Sequence, residues 1–249
     1  MINITNLYKV FNPGRPNVVN AVNGVNLEIK TGEFLVIVGA NGSGKTTMLD
    51  MVAGSVLPTT GSISIDDEDV TRLADYRRSK WIARVFQNPS SGTASDLSIL
   101  DNFRLAAIRT KPKGLSIGVN DTFKNQVKEK ISTLGLGLEN KITQQMGTLS
   151  GGQRQALTLL MSVMDSCKVL LLDEPAAALD PRSADIVMRT ADELIKDYRL
   201  TAILVTHSLK DAYNYGSRII MMGEGQIQKD LEGESKQALK QNDLFAWFS

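Results

Sequence analysis

An apolar strand that runs straight into a glycine-rich turn and then a helix leaves few folds open to a chain. Residues 33–38 form such a strand, Gly39-Ala40-Asn41-Gly42-Ser43-Gly44-Lys45-Thr46 follows, and residues 46–53 carry helical spacing. The eight-residue stretch fits G-x-x-x-x-G-K-[ST], a loop whose backbone N–H groups cradle phosphates. Gly39, Gly42 and Gly44 permit the backbone angles and close approach that a wrapped phosphate needs. Lys45 supplies a point charge to β- and γ-phosphates, and Thr46 offers a hydroxyl to Mg²⁺. Asn41, Ser43 and Thr47 lie close enough in the sequence to add donors. A plain glycine turn before a helix is the alternative, but a chance match in a chain of this length has odds of about one in a hundred.

A second motif changes what the loop means. Leu149-Ser150-Gly151-Gly152-Gln153 opens a stretch with helical spacing, residues 151–165. By chance an LSGGQ is rarer still, on the order of a few in ten thousand. A helix N-terminus with free N–H groups and a positive dipole end favours an anion. Downstream, Val169-Leu170-Leu171-Leu172 is an apolar strand ending in Asp173 and Glu174. Adjacent acids after a strand are often a solvated turn; behind a phosphate loop, Asp173 is placed to hold Mg²⁺ through its water shell. His207, the single histidine, follows the apolar run Ala202-Ile203-Leu204-Val205-Thr206, and Gln87 ends the strand expected at residues 81–86.

The phosphate loop and LSGGQ together, in this order, resemble the nucleotide-binding subunit of an ABC (ATP-binding cassette) ATPase, over about residues 1–231. The resemblance implies ATP as ligand, with Mg²⁺ held by Thr46, Gln87 and Asp173. It implies that Glu174 polarises the attacking water and that His207 contacts the γ-phosphate. Gln87 would reach the metal and water and couple two subdomains. Phe11, after Lys9-Val10, matches the aromatic that stacks on adenine, and Asp180 matches a loop that crosses a dimer interface. Ser150, Gly151, Gly152 and Gln153 would cover the ATP of a second copy in a head-to-tail dimer. One chain otherwise has two phosphate-facing elements and a single nucleotide between them. Two departures stand out: Ala177 replaces the commoner serine, and Gln155–Met161 lacks the arginines usual in sugar and polar amino-acid importers. The chain therefore sits in a less-studied branch.

At 249 residues the chain fits one large domain or a core with an inserted subdomain. Strand patterns at residues 1–10, 18–30, 61–70, 81–86, 169–172, 201–206 and 218–222 alternate with helical ones at 98–110, 119–134, 151–165 and 182–198. That predicts an α/β fold. In the terms of the resemblance it is a P-loop NTPase core, a mostly parallel sheet with an antiparallel β subdomain, carrying an all-helical inserted subdomain. The expected division is 1–87 and 166–249 for the core and 88–165 for the helical part, with residues 111–118 as its loose loop.

Charge and cysteine usage narrow the function classes. With 28 basic and 27 acidic residues the net charge is +1, which argues against a nucleic-acid partner. Cys167 is the only cysteine, so a disulfide framework is excluded, and beside an apolar strand it is expected to be a small buried hydrophobe rather than a reactive thiol. No apolar run approaches the roughly 18 residues of a membrane helix. Nor do the first residues, Met1-Ile2-Asn3-Ile4-Thr5-Asn6, read as a signal peptide.

The expectation is a cytoplasmic chain, peripheral on the inner face of the cell membrane through two integral permease subunits. It would power import, with an extracytoplasmic substrate-binding protein and an amino acid as the substrate guess. Leu97, Ile99, Leu100 and Phe103 are expected to form the apolar permease-docking surface near Gln87. The runner-up is a soluble ABC ATPase of an assembly machinery such as iron–sulfur cluster biogenesis. A nucleotide kinase leaves LSGGQ unexplained.

Overall fold

The structure is a computed structural model that describes residues 1–111, 118–245 and 247. Two strands open the chain, β1 (Ile2–Phe11) and β2 (Val19–Ile29), and then β3 (Phe34–Val38) leads through the glycine loop into α1 (Lys45–Ala53). Next come β4 (Thr60–Ile65), β5 (Glu68–Asp69), α2 (Asp75–Arg78) and β6 (Ile82–Val85). Helices α3 (Ile99–Ala107), α4 (Asp121–Ser132) and α5 (Gly151–Ser162) follow, and among the described residues no strand lies between β6 and β7 (Val169–Asp173). The chain closes with α6 (Pro181–Asp197), β8 (Thr201–Val205), α7 (Leu209–Asn214), β9 (Arg218–Gly223), β10 (Gln226–Glu232), α8 (Gly233–Gln237) and α9 (Gln241–Phe245).

The strands form two sheets. One is four-stranded and antiparallel, in the order β2-β1-β4-β5; the other is six-stranded, in the order β10-β9-β3-β8-β7-β6, parallel except for β10. Strands β3, β7 and β8 are buried along their whole length, as a parallel sheet covered on both faces requires. Successive side chains alternate between two apolar cores. Val36, Leu172 and Leu204 face the helices α3–α6, while Leu35, Leu171 and Ile203 face α1 and the antiparallel sheet.

Register then decides where function can sit. Val36 lies beside Leu204, Leu204 beside Leu172, and Leu172 beside Val85. The carboxyl ends of these four neighbouring strands therefore come level, and each runs into a candidate: the glycine loop, His207, Asp173-Glu174 and Gln87. Open parallel sheets bind ligands at this edge.

Two expectations are corrected. Residues 61–70 are not one strand but the hairpin β4–β5, turned at Asp66 and Asp67 with φ of 50° and 64°. Both central residues in the left-handed region define a tight hairpin turn that matches sheet twist. The edge strand β10 was not expected; it is largely exposed and carries only Ile227 and Leu231 as apolar residues. The expected loose loop at 111–118 lies, apart from its two ends, outside the described residues.

Candidate functional site

The glycine loop closes on itself around Lys45. The Lys45 side chain is buried, and its Nζ donates to the carbonyl oxygens of Gly39 at 2.8 Å and Ala40 at 2.9 Å, with Ser43 Oγ at 3.5 Å. Burial lowers the Lys45 pKa, and the Glu174 and Asp173 carboxylates push it back up. Gly44 is the N-cap of α1 at φ 99°, and a Cβ there would stand 2.2 Å from the carbonyl oxygen of Ala21 on β2. Only glycine fits so close to the other sheet. No side chain caps α1, so its first N–H groups remain open to an anion.

A cavity of about 270 Å³ lies over this loop. Of the expected residues, Phe11, Asn41, Gly42, Gly44, Lys45, Thr46, Thr47, Glu174 and His207 line it. Val19 and Ala21 of β2 line it too, and nothing in their residue types beyond strand alternation marks either for this place. Phe11 is partly exposed, with Lys9 Nζ 4.8 Å from its ring centroid.

Glu174 gathers two of the other expected residues, His207 and Gln87. Its Oε1 lies 2.5 Å from His207 Nε2, and its Oε2 accepts from Gln87 Nε2 at 3.3 Å. Three residues that are far apart in sequence thus meet on one carboxylate, which is nearly buried. Glu174 has φ 45°, a left-handed conformation that costs a non-glycine residue of order 1–3 kcal/mol and is held only where the surroundings impose it. Here its N–H donates to Val205 O at 2.9 Å, pinning the turn to the neighbouring strand.

The ABC transporter family model matches residues 22–177 of this chain. The chain belongs to that family. It is 36% identical to the tyrosine transport ATP-binding protein of Clostridioides difficile (strain R20291), over 100% of this chain and 98% of that protein. It is 33% identical to the energy-coupling factor transporter ATP-binding protein EcfA2 of Clostridium tetani, over 97% of this chain and 82% of the relative. Among solved structures it resembles the dimeric post-hydrolysis state of an ATP-binding cassette bound to ADP and Pi, with TM-score 0.79 and 28% identity over 93% of this chain and 98% of that one. The chain is thus an ATP-binding, ATP-hydrolysing subunit of an ABC transporter with the P-loop NTPase fold. Among the described residues no helix is long and apolar enough to cross a membrane.

The cassette's signature motif is set apart from the nucleotide-facing cavity. Ser150 is the N-cap of α5: its Oγ accepts from Gln153 N at 3.3 Å, and Gln153 Oε1 accepts from Ser150 N at 3.1 Å. Serine and glutamine of LSGGQ thus form a capping box, a local role the sequence reading missed although the S-x-x-Q spacing shows it. Gly151 and Gly152 keep N–H groups with no partner in the helix. The two glycines differ. A Cβ on Gly152 would meet Ser183 Cβ at 2.4 Å, whereas one on Gly151 would find Leu179 at 3.5 Å, ordinary contact. Asp180 does not reach the cavity either; it caps α6, accepting from Ser183 N at 3.1 Å. Neither Ser150–Gln153 nor Asp180 lines the cavity over the phosphate loop.

The motif is tied to the Gln87 segment instead. Gln155 Nε2 donates to Phe86 O at 2.8 Å, and Arg154 Nη1 donates to Ser90 Oγ at 2.7 Å.

The expected docking surface needs correction. Ile99, Leu100 and Phe103 are core residues with 0%, 6% and 0% exposure, filling the space between α3 and the other helices; only Leu97 is exposed. The apolar side chain that α3 does present is Leu105, at the rim of a cavity of about 290 Å³ that also touches Ala83 and Met161. Cys167 is half-buried, and burial raises its thiol pKa.

For a metal, the donor set is small. No group of three or more His, Cys, Asp or Glu able to hold an ion exists among the described residues. Thr46 is exposed on the first turn of α1, and Asp173 is buried at the end of β7, with Oδ1 free of hydrogen bonds among the described residues. A hydroxyl and one carboxylate suit Mg²⁺, which keeps several waters and shares substrate phosphates, rather than an all-protein cage. The residues fit the ion. Sequence reasoning missed Arg84, whose guanidinium holds the other Asp173 oxygen at 2.7 Å.

Proposed function

We propose that this cassette works as a Mg²⁺-dependent ATPase in which two copies join head to tail, each covering the other's ATP with residues Ser150–Gln153. The carrying observation is the separation of the two anion-facing elements. The cavity over the phosphate loop is lined by one chain's Lys45, Thr46, Glu174 and His207, while α5 offers spare N–H groups and an open Gly151 elsewhere. A second chain is what brings them together, and Asp180 sits beside that face through the Ser183–Gly152 contact.

Within the site, Phe11 stacks on adenine while Gly39–Thr47 and Lys45 hold the phosphates. Thr46, Asp173 and Gln87 would hold Mg²⁺, whose chemistry there would be to neutralise phosphate charge. Glu174 takes a proton from the attacking water, and His207 and Gln87 fix that carboxylate in line. Residues 1–87 and 166–249 act as the core and 88–165 as a helical subdomain that moves with the signature. In each copy the cavity beside Leu105 and Met161, which Arg84 and Gly92 also line, receives a segment of one of two permease subunits. The cassette is then cytoplasmic and peripheral on the inner face of the membrane. Relatives named for tyrosine transport and for methionine and phosphonate import support an importer of a small polar molecule. An amino acid fits best, delivered by an extracytoplasmic binding protein.

Hydrolysis by the purified chain tests the core of this reading. Its rate should rise with the square of protein concentration at low concentration and vanish in EDTA; a strictly first-order, monomeric ATPase contradicts it.

A further inference from the structure

Arg84 stands on β6, the edge strand beside β7, and its guanidinium reaches two acids from different elements. Nη2 donates to Asp173 Oδ2 at 2.7 Å, and Nη1 donates to Asp50 Oδ1 at 2.7 Å. Ser55 Oγ accepts a further bond from Nη1 at 3.2 Å. The three side chains are sheltered: 12% of Arg84, 9% of Asp173 and 25% of Asp50 is exposed. The Phe86 ring centroid lies 4.7 Å from the guanidinium carbon. Nε is buried and finds no acceptor among the described residues. A desolvated donor without a partner is costly, so this placement is not the cheapest one available to an arginine.

The two acids matter because of where they sit. Asp50 lies four residues after Thr46 on α1, one turn along the same helix face. Asp173 ends β7. One planar fork therefore links the helix that carries the Thr46 hydroxyl to the strand that carries the Asp173 carboxylate. It occupies Oδ2 of Asp173 and leaves Oδ1 free. Neither lysine nor glutamine can reproduce this: lysine is a point donor without the fork, and glutamine has no charge.

We propose that Arg84 is a positioning residue for magnesium–nucleotide, fixing the orientation of Asp173 and its spacing from Thr46. It touches neither nucleotide nor metal. The proposal rests on the reading that Asp173 and Thr46 hold Mg²⁺, and the controls separate the two. A related consequence is that the same side chain walls both the cavity of about 290 Å³ beside Leu105 and one of about 260 Å³ beneath Tyr76 and Phe86.

The test uses the full chain with ADP and Mn²⁺ as probe, free Mn²⁺ being read by electron paramagnetic resonance. Arg84→Gln should weaken Mn²⁺ binding to the ADP complex by about tenfold, the usual size when a group that orients a metal ligand is lost. Fluorescent-nucleotide affinity in EDTA should stay unchanged. At saturating ATP, kcat should fall by a similar factor with KM for ATP little moved. Arg84→Lys should restore only part of the loss. Adding Asp50→Asn to Arg84→Gln should recover part of it too, because the uncompensated neighbouring acid is removed. If Arg84→Gln fails to fold, Arg84→Lys decides alone: Mn²⁺ binding equal to that of the parent chain overturns the proposal. Tighter Mn²⁺ binding in either variant also overturns it, showing that Arg84 competes with the metal. Asp173→Asn is the control. If it leaves Mn²⁺ binding intact, the metal reading itself has failed; if it weakens binding while the Arg84 variants do not, only the Arg84 inference has.

Discussion

Two helix N-termini in this cassette, those of α1 and α5, are assigned to phosphate in the proposed function, and they are built in opposite ways. At α1 the N-cap is Gly44, no side chain caps the helix, and the buried Lys45 of its own first turn is joined by a strained glutamate and a histidine from two other strand ends. At α5 the N-cap is Ser150, a capping box satisfies the end of the first turn, and Ser150–Gln153 stand apart from the lining of the cavity over the phosphate loop. The first gathers the lysine, glutamate and histidine of the proposed hydrolytic site. The second has only spare N–H groups, a helix dipole and an open glycine. On the proposed function, the difference means that one chain carries the reacting groups while completion of the phosphate cage, and with it turnover, is left to another. ATP can then report its presence by joining two molecules.

The largest expected effect breaks the α1 side. Glu174→Gln preserves shape and most hydrogen bonding but removes the base, and turnover should fall on the order of 10²-fold or more, with ATP affinity retained. Lys45→Ala should lose affinity as well, since its charge faces the phosphates directly. Equal ATP affinity in the two variants, measured by fluorescent-nucleotide titration, would mean that the roles are misassigned.

A smaller effect separates the two signature glycines. Gly152→Ala places a methyl group on Ser183 Cβ and should destabilise the fold by about 1–3 kcal/mol. Gly151→Ala should be within a few tenths of neutral, because its Cβ meets only ordinary contacts. Urea denaturation of both variants reads the contrast. Equal losses would show that Gly151 is also an internal packing residue and not a surface kept open for a partner.

Smallest is the cap. Ser150→Ala breaks the capping box and should cost about 1 kcal/mol, without changing ATP binding by the monomer. If monomer binding falls as well, Ser150 belongs to the chain's own nucleotide site and the contrast between the two helix ends dissolves.

Much of this was legible in the residues, and the rest has physical reasons for being hidden. The fully buried strands β3, β7 and β8 were visible because an apolar run of that length has few other uses. Their end residues could then be ranked, so Lys45, Thr46, Glu174, His207 and Gln87 were found together. What stayed hidden were contacts that depend on register. Arg84 looks like an ordinary strand cation until β6 is seen beside β7, which sets it against Asp173. Val19 and Ala21 enter the cavity only because β2 packs against Gly44. Ile99, Leu100 and Phe103 have the same composition whether they line a groove or fill a core, and only the packing of α3 against α5 decides. The hairpin at Asp66-Asp67 lacked the glycine or asparagine that usually marks a left-handed turn.

The separation of the two helix ends is tested most directly by ATP-driven dimerisation. In a Glu174→Gln background, ATP with Mg²⁺ should shift the cassette from monomer to dimer on size-exclusion chromatography. Adding Gly151→Asp places a carboxylate where the partner's γ-phosphate must approach, a like-charge juxtaposition that costs several kcal/mol. The variant has room for the new side chain within its own fold, so it should return to monomer with ATP binding unchanged. A dimer that persists with ATP, or a monomer that no longer binds it, would contradict the account.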